Sequence, residues 1–444
     1  MKKRKYRIAI ICVILSFSIL MSGCSFKRLT PSELLKPPTS TENIREIKKN
    51  IKTEIAEDTV PIIPVSGEFR NSIIFIDLNN DRVDELIYLY STTQDKTNPL
   101  LCVFKKEKDR YVKQYIISAI AIGIDYIDFT DYNFDSIPEI TVGYTQANTE
   151  QKLLTVYNIK EHKPSEILST TYNMQSIINK EANNKYLFIA TLTTKDLPAH
   201  GKLLEYKNDK FITLSECEMN GAITSYASIL TDVKNDITRI IVNENIDATT
   251  LSTEIIGIEQ QKLINYTFAE GKPKFPEQLM RSSSIYAQDI DKDAVIEFPS
   301  AVETQGKVQT SQSHVRVSKW YSFENGVFTP KMYLVLNPAE RYYINFPEKW
   351  LSLVNIKTDL TGTNFSFFYK MPDDGEELLF SILSLSKEDY EIKKVNDQYQ
   401  LLKQLPDRMY AAYIPKVESK IAKDIQPTLD EIQKAFVQTT IKQR

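Results

Sequence analysis

The spacing of hydrophobic and polar residues changes several times along the chain. Ile8 to Met21 is a run of 14 mostly apolar residues, short of the roughly 20 that span a bilayer core. Ser25 to Pro38 is polar, and Pro31, Pro37 and Pro38 disfavour a continuous helix there. Thr39 followed by Glu42 has the form of a capping box. Ile44, Ile47, Ile51 and Ile55 then recur at helical spacing among charges, which predicts an amphipathic helix from about residue 40 to 56. Its seam is narrow, so docking onto the following domain is expected rather than membrane binding. Short alternating segments typical of strands follow, such as Ile73-Ile-Phe-Ile76 and Glu85-Leu-Ile-Tyr-Leu-Tyr90. The last hundred or so residues differ. Asn364 to Lys370, Leu378 to Leu385 and Met409 to Ile414 read as strands, and Leu429, Ile432 and Phe436 as a closing helix with Pro427 near its first turn.

Within the strand-rich body one pattern recurs three times. The segments begin at Asp77, Asp131 and Asp289. Oxygen-bearing side chains stand at positions 1, 3 and 5: Asp77, Asn79, Asp81; Asp131, Asn133, Asp135; Asp289, Asp291, Asp293. A glutamate stands at position 9 (Glu85, Glu139, Glu297) and an apolar residue at position 10. Alternate side chains of a tight loop converge, and a hard cation such as Ca²⁺ wants six to eight oxygens. All twelve residues are therefore candidate calcium ligands, with the ion as a structural staple. These are not EF-hands, whose loop needs glutamate at position 12; here that position holds Tyr88, Val142 and Ser300. Hydrogen-bonded turns without metal are the competing reading.

The spacing of the copies suggests two eroded ones, at Asn179–Asn183 and Asp232–Asp236, and a period near 50 residues. That is a propeller-blade length. The segments resemble FG-GAP or VCBS repeats, the Asp-rich repeats of integrin-type propellers. The tether and first repeat are also similar to uncharacterised lipoproteins of Gram-positive anaerobes. The resemblance implies a mainly β fold, a β-propeller of about five or six blades, followed by a small α+β domain opening at the Phe346-Pro-Glu-Lys-Trp350 phrase. The family usually has glycine at position 6, where φ is positive; here that position is Arg82, Ser136 and Ala294, which puts cation affinity in question. The expected divisions are a signal segment at 1–23, a lipidated tether and helix at 24–58, the propeller at 59–335 and the α+β domain at 336–444.

The N-terminus changes the picture from a folded body to a tethered one. Lys2, Lys3, Arg4, Lys5 and Arg7 precede the apolar run, and Leu20-Met-Ser-Gly-Cys24 closes it. This resembles a bacterial lipobox, in which Cys24 receives lipid and becomes the first mature residue. Of 55 basic and 58 acidic residues, loss of the five signal cations leaves 50 against 58. The acidic balance argues against nucleic acid as a partner. Only Cys102 and Cys217 remain as further cysteines, which is no disulfide framework, and free thiols are expected.

Enzyme motifs are sparse. The three histidines, His162, His200 and His314, stand isolated among polar residues, without metal-ligand spacing. Trp350 reads as a core anchor. The sequence predicts a non-enzymatic binding or sensing module on the outer face of the cell membrane, with an envelope protein or glycan as partner. An envelope hydrolase and a constitutive subunit of a membrane complex are the alternatives.

Overall fold

A computed structural model describes residues 41–438, with breaks at 56–57, 109, 148, 161–162, 182–183, 270, 274–278, 283–284, 303–316, 338, 360 and 395–398. Cys24, the signal segment, the tether, His162 and His314 lie outside the described residues. The fold is mainly β, built from consecutive antiparallel sheets.

The second and third sheets are four-stranded meanders, and the fourth is a four-stranded meander with Arg281–Ser282 added beside Thr250–Glu259. The second uses Gly123–Thr130, Glu139–Thr145, Lys152–Lys160 and Lys163–Tyr172. The third uses Met174–Glu181, Asn184–Thr191, His200–Lys207 and Lys210–Glu218, and the fourth Ser225–Lys234, Ile237–Asn245, Thr250–Glu259 and Lys262–Asn265. Their first strands begin at 123, 174 and 225, two steps of 51 residues. The first sheet follows the same plan with Ile73–Ile76, Glu85–Thr92, Leu100–Glu107 and Arg110–Ser118, and adds Thr59–Pro61 beside Glu85–Thr92. The fifth contains Phe298–Val302, Val317–Glu324, Val327–Asn337, Tyr342–Asn345 and Phe436–Gln438, so it takes strands from both sides of position 336. The sixth contains Val354–Thr358, Asn364–Lys370, Glu376–Leu385, Met409–Tyr413 and Tyr399–Gln404.

Burial explains the strand composition. Second strands such as Glu85–Thr92 are covered on both faces and are nearly continuous apolar runs. Fourth strands such as Lys163–Tyr172 and Lys210–Glu218 are largely open to solvent and carry charge, which blunts an exposed edge.

Each sheet packs its face on the next. Ile87, Leu89 and Val103 meet Ile124, Ile140 and Val142 between the first and second sheets. Leu154 and Val156 meet Leu187 and Ile189 between the second and third, and Phe188 and Leu203 meet Ile240 and Ile256 between the third and fourth. Gly143 in the second sheet leaves room for Tyr172, whose hydroxyl would lie 1.9 Å from a Cβ there. Ile241 and Ile255 meet Phe298 and Phe323 between the fourth and fifth.

The expected closed ring is not found. Closure requires the outer faces of the first and last blades to meet. Instead helix α1, Thr41–Glu54, lays Ile51 and Ile55 on Leu86, Tyr88, Tyr90, Cys102 and Phe104 of the first sheet. Asn50 Oδ1 accepts the Tyr111 N–H at 3.1 Å and fixes the register of that contact. The fifth sheet turns Val317, Val335, Tyr342 and Ile344 towards Phe365, Phe367 and Ile382 of the sixth. Among the described residues no hydrophobic cluster joins the first and fifth sheets.

The closing helix is Leu429–Ala435, capped by a Thr428–Glu431 capping box. Phe436 does not extend it but opens the strand that joins the fifth sheet beside Tyr342–Asn345. No described helix is long and apolar enough to cross a membrane.

Candidate cation loops

Two of the three loops join the first and second strands of the first and second sheets. The third immediately precedes the fifth sheet, with Gln288 bridged to Glu297 across its neck. All three share one wiring scheme. The position-1 aspartate accepts the backbone N–H of position 5 through Oδ1, at 3.3 Å (Asp77), 3.2 Å (Asp131) and 3.0 Å (Asp289). Its Oδ2 accepts that of position 6 at 2.8, 2.9 and 3.0 Å. The position-5 aspartate accepts from position 7 at 2.8 Å (Val83), 2.8 Å (Ile137) and 2.9 Å (Val295). Glutamate Oε2 at position 9 accepts from position 2 at 2.8 Å (Leu78), 2.9 Å (Tyr132) and 3.1 Å (Ile290). These bonds fold the chain back twice, so positions 4 and 6 have positive φ: Asn80 60° and Arg82 67°, Phe134 61° and Ser136 72°, Lys292 66° and Ala294 68°.

The inward oxygens that remain separate the loops. In the third, Lys331 Nζ lies 2.7 Å from Asp291 Oδ2, 3.0 Å from Asp293 Oδ2 and 2.8 Å from Glu297 Oε1. Asp289, Asp291, Asp293 and Glu297 can bring ligand oxygens within 4.8 Å of one another, a grouping able to hold a metal ion. The ammonium of Lys331 already sits on three of them. In the first loop the amide of Asn79 donates to Glu85 Oε1 at 2.8 Å. In the second that of Asn133 donates to Asp135 Oδ2 at 2.9 Å. Among the described residues no ammonium or guanidinium pairs with a carboxylate of these two loops. Lys185 reaches the second loop only at the Asp131 carbonyl, 2.8 Å away, with its ammonium over the Phe134 ring.

Electrostatics follow the same division. Burial pushes Glu139 up to about 7, against its bond from Tyr132 and aided by the charges of Asp135 and Asp131. Burial also raises Glu85 and Glu297, but Lys331 opposes the shift at Glu297. Burial pulls Lys331 down, yet its three hydrogen-bonded carboxylates hold it well above the usual lysine value. Asp77 is lowered because the N–H groups of Arg82, Asn79, Asn80 and Asp81 outweigh its slight burial.

The two eroded copies are not loops of this kind. Asp232 is a buried strand residue whose Oδ1 accepts Arg239 Nε at 2.7 Å and whose Oδ2 accepts the Ile296 N–H at 2.7 Å. The chain reverses at Asn235 and Asp236, with φ of 50° and 62°, as a two-residue hairpin turn. At the other copy, strands Met174–Glu181 and Asn184–Thr191 pair as a hairpin, with 182–183 outside the described residues. Two central residues suffice where the first two sheets spend eight.

Of the remaining candidates, His200 contacts the Thr191 hydroxyl at 2.9 Å. Trp350 packs in the fifth-to-sixth-sheet core against Phe346 and Phe380. Cys102 and Cys217 are free thiols, each pushed up to about 12 by burial.

Two features escaped sequence reasoning. One is an enclosed carboxyl pair, Glu244 and Glu254. Strand alternation was the available signal: Glu244 shares parity with the core residues Ile240 and Val242. The other is apolar exposure at the sheet ends opposite the loops. The cation loops lead into Glu85 and Glu139, the first residues of their strands; Thr92 and Thr145 mark the far end. There the Val65 N–H donates to Ile124 at 3.3 Å, and that of Ile122 to Thr145 at 2.9 Å. Ile63, Val65, Ile120 and Ile122 are each more than half exposed at this end, Ile120 by 90 %. Leu197, on the connection between the second and third strands of the third sheet, is also more than half exposed.

No family model matches the chain, and no curated protein does. Among solved structures, a protein from Lactobacillus plantarum is 8% identical, covering 69% of this chain and 89% of that one, with a TM-score of 0.29. A rhamnogalacturonan lyase from Bacillus licheniformis is 12% identical, covering 72% and 74%, with a TM-score of 0.28. Overlap this slight transfers neither topology nor activity.

Proposed function

We propose that this chain is a lipid-anchored extracytoplasmic lipoprotein whose propeller-like stack of sheets acts as a non-enzymatic binding module for an envelope protein. The observation that carries this reading is the exposed aliphatic end formed by Ile63, Val65, Ile120 and Ile122. Large side chains gathered in the open mark interaction surfaces more often than isolated ones do. Cys24 supplies the anchor, and helix α1 joins the tether to the first sheet.

Calcium, on this reading, staples the first two loops. Their ligand atoms are the hard oxygens the ion prefers, and among the described residues no ammonium or guanidinium is paired with their carboxylates. The third loop carries its own cation in Lys331. A hydrolase would need accessible carboxylates, and the Glu244–Glu254 pair is enclosed.

A photo-reactive residue at position 120, introduced into the full-length protein in intact membranes, tests the binding role. A discrete cross-linked adduct that disappears with Ile122→Asp is expected. Absence of any adduct, with the protein folded and membrane-bound, would remove the support for a binding role.

A further inference from the structure

Glu244 lies near the end of strand Ile237–Asn245, and Glu254 lies within Thr250–Glu259. Both are on the face that carries Ile240, Val242 and Ile256 against the third sheet. They are 0% and 2% exposed. Glu254 Oε1 accepts the Asn220 N–H and the Asn265 amide, both at 3.0 Å. Glu244 Oε2 accepts the Asn220 amide at 3.4 Å. The other two oxygens, Glu244 Oε1 and Glu254 Oε2, are buried without a hydrogen-bond partner, and because Val242 pairs with Glu254 and Glu244 with Ser252 across the two strands, the two side chains are diagonal neighbours on one face.

Two ionised carboxylates would leave both of these buried oxygens without a donor, whereas one retained proton gives the pair a hydrogen to place between them. Among the described residues no ammonium or guanidinium is ion-paired with either carboxyl group, and the nearby charge of Arg281 opposes the rise at Glu244 without cancelling it. The titratable groups that feel the pair's charge are Cys217 from the third sheet and Tyr226 from strand Ser225–Lys234. Burial raises both of these groups, which keeps them neutral. Arg281 feels the charge of Glu244, but its donors go to Leu279 O at 2.7 Å, Ile285 O at 2.5 Å and Asn243 Oδ1 at 2.5 Å.

We propose that Glu244 and Glu254 share one proton, and that the resulting carboxyl–carboxylate bond is a pH-sensitive latch between the fourth sheet and the connection that leads into it from the third. Asn220, which belongs to that connection, bonds both carboxyl groups and is the part the latch holds. Loss of the proton sets two neighbouring like charges in a buried interface. Burial first, and then the neighbouring charge of Glu254, raises Glu244 above the ordinary carboxyl range. The sign follows from linkage: a group raised in the folded state stabilises fully below its unfolded value, and that stability is lost as pH rises through the folded value.

The test uses the full-length protein in detergent and its Glu244→Gln/Glu254→Gln form, in which amides replace both acids. Infrared spectra are compared at about pH 8, where ordinary carboxyls are ionised. A protonated-carboxyl carbonyl band is expected in the parent and absent from the variant, so that it appears in their difference. Its melting temperature should fall more steeply with rising pH than the variant's. If the double variant fails to fold, Glu244→Gln replaces it, since it keeps the hydrogen bonds to Glu254. A difference spectrum without the band, or parallel melting curves, overturns the latch.

Discussion

The first and third cation loops share a backbone and differ in how their inward charge is met. In both, the aspartate at position 1 and the glutamate at position 9 accept equivalent N–H groups. The first loop has Asn79 at position 3, and its amide can donate to Glu85. The third has Asp291, which carries one more negative charge and no donor. There Lys331, from the strand Val327–Asn337, supplies the missing cation. The same scaffold is therefore held by a neutral amide, by a tethered ammonium or, as proposed above, by a bound ion. The residue at position 3 decides whether the loop carries a tethered cation of its own.

Removing the ammonium breaks this comparison most severely. Glu297 is fully buried and Lys331 about a quarter exposed. Lys331→Met is expected to cost about 3 kcal/mol, the low end for breaking a buried pair. Urea unfolding with chelator measures the loss. Added calcium should recover part of it by filling the vacated oxygens, and no recovery would mean that the third loop cannot hold the ion even when emptied.

The unaltered protein should respond to calcium through its first two loops. At about a hundred times the dissociation constant, an ion bound only by the folded state adds about 2.7 kcal/mol per site. An Asp77→Asn/Asp131→Asn variant should lose the response while keeping the turn bonds. A response that survives in it would place the ion elsewhere.

Glu139 sharpens the comparison through pH. Its value of about 7 in the metal-free fold lies above the unfolded carboxyl range. Its stabilising protonation is complete in acid and lost as pH rises through about 7. Glu139→Gln keeps an acceptor for the Tyr132 N–H without the charge. Above neutral pH it should gain on the order of 2 kcal/mol in chelator and lose calcium sensitivity at the second loop. Chemical denaturation at acid and mildly alkaline pH reads both effects. A gain of equal size in acid would show that charge is not the cause.

What the sequence made legible was local. Every bond that all three loops share spans seven residues or fewer, so its pattern survives in the order of residues. Lys331 lies 38 residues from Asp293 and is the unpaired residue of a β-bulge in the strand Val327–Asn337, so nothing near the loop in sequence announces its role. Asp232 resembled the start of a loop because Asp236 stands at position 5 after it, ahead of the apolar Ile240-Ile-Val242. Its partner Arg239 lies across a two-residue turn and makes it a strand residue. The open stack was equally hidden. Whether the first sheet meets the fifth or a helix depends on where Ile51 docks, a long-range choice that blade-length spacing does not encode.

The smallest expected effect concerns position 6, where resemblance called for glycine and the chain has Arg82, Ser136 and Ala294. All three hold φ near 70°, a region that costs a side-chain-bearing residue about 1–2 kcal/mol. Replacement by glycine relieves that strain but adds freedom to the unfolded chain. The net gain should be about 0.5–1 kcal/mol in chelator, nearly equal at Ala294→Gly and Arg82→Gly because the backbone is the same. With calcium the two should part. Arg82→Gly also removes a cation beside the first loop and should tighten its ion further, whereas Ala294→Gly leaves the Lys331-filled loop indifferent. Equal gains with and without calcium at both positions would mean that backbone strain alone separates these loops from their glycine-bearing counterparts.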